Sequence, residues 1–95
     1  MRIDLHVTAD HLYRGVARDC RFCPIALAVF QQFPGCADVE VSTRFIAVRT
    51  LAGESLRARV PFVALQLMRI FDHDGPLFVR PATIWLDFQP ADPTA

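Results

Sequence analysis

Between Pro24 and Phe33 the chain passes through Ile25, Leu27, Ala28, Val29 and Phe30 without a breaker, and Pro34-Gly35 then interrupts it. Proline suits the first position of a helix, where its missing N–H costs nothing, and a Pro-Gly pair just beyond the last turn stops one. The predicted helix is apolar almost all round. Such a helix has no face to offer water and has to be the central, buried element. The remainder of the chain must therefore supply walls around it.

The walls read as strands. Residues 2–7 alternate, with Ile3, Leu5 and Val7 on one face, the period of a half-buried strand. Thr8 can cap a short helix from Ala9 to Val16 with Asp10 in its first turn, where the helix dipole favours a carboxylate. Gly15 and Arg18-Asp19-Cys20-Arg21 mark a loop. Residues 38–50 hold two strand-like runs. Val39 and Val41 share a face in the first; in the second, either Phe45 and Ala47 or Ile46 and Val48 turn inward. Ala52-Gly53-Glu54 reads as a hairpin turn. Leu56, Ala58 and Val60 then face one way, and Arg57 and Arg59 the other. Pro61 opens a helix over Phe62–Phe71, which Asp72-His73-Asp74-Gly75-Pro76 ends. A last strand over 77–88 is interrupted by Pro81; it places Ile84, Leu86 and Phe88 on one face and Trp85 and Asp87 on the other. The order β-α-α-β-β-β-α-β predicts an α+β fold: a mostly antiparallel sheet of about five strands with two main helices packed on one face. Residues 1–88 read as a single domain and 89–95 as a frayed tail.

A chain of 95 residues with 53% hydrophobic content suffices for one core, but folding at this size buries only roughly 60–65% of the unfolded surface. Self-association into a homo-oligomer is the expected supplement, and eight Phe fit it. Ten basic and ten acidic residues leave no net charge, which argues against general nucleic-acid binding, since that requires a basic excess. All ten basic residues are Arg, whose planar fork suits phosphate and carboxylate; the absence of Lys and Asn also fits a GC-rich coding sequence. No apolar run reaches the roughly 18–20 residues that span a bilayer, and the alternating start is no signal peptide. The expected setting is the cytosol, with reduced cysteines.

The strongest local motif is Cys20-Arg21-Phe22-Cys23-Pro24 at the start of the buried helix. Three readings compete. A redox pair would need a depressed thiol pKa at Cys23. Zinc would need two further ligands from Cys36, His11, His6 or His73. The plainest has Cys23 capping or packing against the helix and Cys20 as an ordinary buried thiol. Arg14, Arg18 and Arg21 precede the same helix start, and guanidiniums beside unpaired N–H groups make an anion site; alternatively they pair with Asp10, Asp19 and other carboxylates. Arg57 and Arg59, with Arg44 or Arg49 as candidates opposite, could line a groove or a partner interface. Trp85, the sole Trp, could stack on a base or anchor an interface. The four glycines are isolated and form no phosphate loop, and no G-x-S-x-G is present. Asp72-His73-Asp74 sits in a turn where such residues serve capping. A non-enzymatic role without cofactor or resident metal is expected.

The stretch from Gly15 to Ala28, with Cys20-Arg21-Phe22-Cys23-Pro24-Ile25-Ala26-Leu27-Ala28 at its heart, resembles the core of a group of small uncharacterised phage and prophage proteins sharing G-x-x-x-x-C-x-x-C-P-[IV]-A-L-A. Phe71-Asp72-His73-Asp74-Gly75-Pro76-Leu77 is similar to that group's later turn, with one residue inserted. The resemblance implies a context of counter-defence in the cytoplasm of a bacterial host. Inhibitors of bacterial immunity either sequester a nucleotide-derived immune signal or, like anti-CRISPR proteins, bind a defence protein directly. The first mode is preferred here. Phosphates would meet Arg14, Arg18, Arg21 and the helix start at Cys23 and Ile25, and a base would stack on Tyr13 or Trp85. In the second mode Arg57 and Arg59, with Trp85, would form the protein interface. A zinc-stabilised structural module and a redox enzyme are the remaining alternatives.

Overall fold

Period-two alternation of buried and exposed residues runs through the strands Arg2–Val7, Phe45–Thr50 and Ala82–Asp87, and the helices cover the apolar side. The computed structural model describes residues 1–91. Its elements are β1 (Arg2–Val7), α1 (Ala9–Arg14), α2 (Pro24–Gln32), β2 (Cys36–Val41), β3 (Phe45–Thr50), β4 (Ser55–Arg59), α3 (Phe62–Asp74), a 3-10 turn (Pro76–Phe78), β5 (Ala82–Asp87) and β6 (Gln89–Pro90). The fold is α+β and its strand pairing is antiparallel throughout. The sheet comes in two parts, β1-β5 and β2-β3-β4-β6.

The last strand joins the parts. β5 pairs with β1, Ile3 opposite Leu86 and Leu5 opposite Ile84. One residue later the chain changes partner, and β6 pairs with β4, Gln89 opposite Arg57. Phe88 lies at the changeover, 1% exposed, its ring edge-on to Phe33 at 5.0 Å. Of the frayed tail expected over 89–95, Gln89 and Pro90 are instead ordered as β6 because they find the edge of β4 to join; residues 92–95 lie outside the described residues.

α2 is buried on one face, where Ile25, Ala26, Ala28 and Val29 are fully enclosed against β1, β2 and α1; it is not enclosed all round as expected, since Phe30 is 55% exposed. Its start is held by contact with Gly15, where an added Cβ would lie 2.5 Å from Cγ of Pro24. α1 is shorter than the 9–16 expected and ends at Gly15. Thr8 and His11 form a capping box, and the imidazole uses both nitrogens: Nδ1 accepts the Thr8 N–H at 2.9 Å and Nε2 meets Gln31 Oε1 at 2.6 Å. α3 runs three residues past the predicted Phe71 and ends on Gly75, whose φ of 90° lies in the region glycine favours. The expected strand 77–88 begins only at Ala82, since Pro76–Phe78 form a 3-10 turn and Pro81 has no N–H to offer a ladder.

Replacing Gly15 with Ala forces the pyrrolidine ring of Pro24 out of a closely packed site. A loss of about 1–3 kcal/mol is expected, read as a lowered urea midpoint with unchanged slope.

Candidate functional site

The three guanidiniums expected to converge at the start of α2 go separate ways. Arg14 pairs with Asp10 at 3.1 Å, one helical turn back. Arg21 pairs with Asp38 at 3.4 Å, at the side of β2. Arg18 has a left-handed backbone, φ 60°, a conformation that costs a non-glycine residue about 1 kcal/mol. Its N–H donates to Asp72 Oδ1 at 2.9 Å, which ties the loop between α1 and α2 to α3. The helix end itself is occupied: Cys23 is the N-cap and its Sγ accepts the Ala26 N–H at 3.4 Å. Pro24 has no N–H, and Ile25 is fully buried in the core, out of reach of any ligand. Tyr13 is 84% exposed on α1.

Arg18 and Cys23 do share a cavity of about 210 Å³, with Cys20, Met68, Arg69 and Asp72 also on its wall. It is smaller than the roughly 300–1,000 Å³ of ordinary ligand pockets. The carboxylates of Asp19 and Asp72 match the guanidiniums of Arg18 and Arg69 on its wall, which leaves no net positive charge for a phosphate. Burial pushes the Cys23 thiol above its ordinary value of 9.0, an effect the Ala26 and Ile25 N–H groups reduce and the charges of Asp72 and Asp19 increase. A redox reading required the opposite shift; desolvation outweighs the helix end here. Cys20 is exposed rather than buried. Among the described residues no group of three or more His, Cys, Asp or Glu side chains is placed to hold a metal ion.

The Arg57–Arg59–Trp85 group, by contrast, comes together. On the sheet face away from the helices, the ladder between β4 and the last strand ends at Arg57–Gln89. Beyond that pair a cleft of about 410 Å³ opens, lined by Phe45, Arg57, Arg59, Trp85, Asp87 and Gln89. A second depression of about 400 Å³ adjoins it across Phe45 and Arg59 and takes in Arg44. The Arg57 guanidinium lies 4.5 Å over the Phe45 ring and that of Arg2 lies 4.0 Å over Trp85. Trp85 remains 65% exposed. Neither Arg44 nor Arg49 stands opposite Arg57; the register places Ala47 there and Phe45 opposite Arg59. Among the described residues Arg2, Arg57 and Arg59 make no ion pair within 4.0 Å, so their charge is available to a partner.

Sequence reasoning missed Arg2 and Phe45. Arg2 was legible as an outward position of an alternating strand. Phe45 was not, because β3 is apolar on both faces; Ile46 and Val48 fill the core and leave Phe45 and Ala47 outside.

Comparison with protein-family models, with curated proteins and with solved structures yields no match.

The thiols should separate by reactivity. At pH 8 iodoacetamide is expected to modify exposed Cys20 first and to reach Cys23 only on unfolding, as read by peptide mass spectrometry. The raised folded-state pKa of Cys23 adds stability that is complete below the ordinary thiol value of 9.0 and is lost as pH rises through the folded value. Urea midpoints of the wild type should therefore fall more between pH 8 and 10 than those of Cys23→Ala.

Proposed function

We propose that the protein is a non-enzymatic binding protein that docks the Arg–aromatic face of its sheet onto an acidic surface of another protein. The single observation that carries this is the cleft between β4 and β5, where Arg57, Arg59 and Trp85 meet around unshared charge. Trp and Arg are the residues in which binding energy concentrates at protein interfaces. Stacking on Phe45 holds the guanidinium of Arg57 in place before binding, so less side-chain freedom is lost when a carboxylate arrives.

Sequestration of a nucleotide-derived signal has less support: its basic residues are spread over three surfaces and the helix N-terminus is capped by a thiol. In the context implied by the phage-protein resemblance, the partner is a bacterial defence protein met in the host cytoplasm, and docking blocks its action. No helix among the described residues is long and apolar enough to cross a membrane, and the docking face needs none.

The test is affinity capture from lysates of bacteria carrying defined defence systems, comparing the wild type with the triple variant Arg57→Ala, Arg59→Ala, Trp85→Ala. A defence protein retained by the wild type, released by raised salt and bound at least about 100-fold more weakly by the triple variant is the expected result. Equal retention by both forms would remove this face from the interaction. A co-purifying nucleotide with no protein partner would restore the sequestration reading.

A further inference from the structure

The hydrogen-bond pattern of β1 leaves one stretch of backbone open. The Phe88 N–H donates to the Met1 carbonyl at 2.8 Å, and the terminal amine returns a bond to the Phe88 carbonyl. Antiparallel pairs that exchange bonds alternate with pairs that do not. Met1, Ile3, Leu5 and Val7 therefore turn their backbone groups toward β5, and Arg2, Asp4 and His6 turn theirs to the outer edge. At His6 that edge is answered by a side chain: Gln32 Oε1 accepts the His6 N–H at 2.8 Å and Gln32 Nε2 donates to the His6 carbonyl at 2.7 Å. The amide imitates a neighbouring strand for one residue and goes no further. Among the described residues the edge groups of Arg2 and Asp4 have no partner.

We propose that this edge is a homodimer interface, in which two copies pair their β1 strands antiparallel about a twofold axis at Ile3. Charge selects the register. Edge-directed residues must face edge-directed residues, and Gln32 already occupies His6. Placing Arg2 against Arg2 or Asp4 against Asp4 sets like charges directly opposite, which destabilises a pair. The remaining register sets Arg2 of each copy against Asp4 of the other, twice. Arg2 and Asp4 are both exposed and neither makes an ion pair among the described residues; Arg2 rests on the Trp85 ring, which leaves its charge unshared. The two exchanging pairs supply four backbone hydrogen bonds. On the inner face half-buried Ile3 meets its own copy, and Met1, 52% exposed, comes opposite residue 5 of the other subunit. A Gln32 amide closes the ladder at each end. Charged residues ordinarily blunt an open strand edge against association; two opposite charges two residues apart are instead self-complementary under twofold symmetry. The dimer joins the two sheets edge to edge and brings both Arg–Trp faces onto one surface.

Sedimentation velocity of the full chain, from about 1 µM to about 1 mM, tests this. The wild type is expected to rise from the 10.7 kDa of one chain to twice that mass. Asp4→Arg should weaken association at least tenfold with an unchanged far-ultraviolet spectrum, and the swapped pair Arg2→Asp with Asp4→Arg should restore it. In the wild type the Asp4 amide should gain hydrogen-exchange protection as concentration rises, a readout independent of any variant's folding. A wild type that stays monomeric throughout, a dimer undiminished by Asp4→Arg, or a charge swap that fails to rescue would each overturn the proposal. The second of these would shift self-association to another surface, such as the exposed Phe62, Val63 and Ile70 side of α3. The double variant Arg57→Ala, Arg59→Ala, which leaves Trp85 beneath Arg2, should dimerise normally, so failure of the edge and failure of the docking face are separable.

Discussion

The arrangement depends on one strand having two neighbours in succession. Residues 82–88 lie against β1 and residues 89–90 against β4, so without them the first strand would have no sheet to belong to. Phe88 stands at the exchange with its ring against Phe33 at the end of α2. The same few residues thus close the sheet and seat the central helix upon it. Because the strand diverges from β4 on one side of the Arg57–Gln89 pair, the docking cleft is a by-product of that joint. Its side chains project from strands β3, β4, β5 and β6.

The start of α2 illustrates how a fold can consume a motif that looks chemical. Cysteine, proline and nearby arginines suggest either a reactive thiol or an anion cradle. Packing Pro24 against Gly15 buries the helix end, and burial raises the thiol pKa and leaves its sulfur accepting a backbone N–H. The motif therefore serves helix initiation. The loop ahead of it is held by Asp72 at a strained Arg18, an arrangement that orients the loop onto α3 and carries the Arg14 and Arg21 side chains apart.

Much of this architecture was readable from residue order. Pro24, Pro61 and Gly53 mark real boundaries, and the alternation of Ile3-Leu5-Val7, Leu56-Ala58 and Ile84-Leu86-Phe88 identifies the core face of three strands. What could not be read depends on distant partners. Gln89 and Pro90 become a strand because β4 offers an open edge. Phe45 lies outside because Ile46 and Val48 fit the core better, which no local pattern decides. The Arg57–Arg59–Trp85 group was legible as three outward positions, but its meeting in one cleft followed from the pairing of β4 with β6. The Arg14–Arg18–Arg21 group was adjacent in sequence and dispersed in space, since a loop's path is set by its tertiary bonds.

The union of Met1 with Phe88 also has a consequence in time. β1 leaves the ribosome some 80 residues ahead of its strand partner. Closing so long a loop is entropically unfavourable, and contacts this distant in sequence form late. During synthesis the hairpins of β2, β3 and β4 can assemble locally, and α2 can dock on them, while β1 waits with both edges bare. The protein is then one whose first and last strands complete it together, and any arrest of synthesis before residue 82 leaves a chain with its helix half covered and its leading strand exposed to whatever lies nearby.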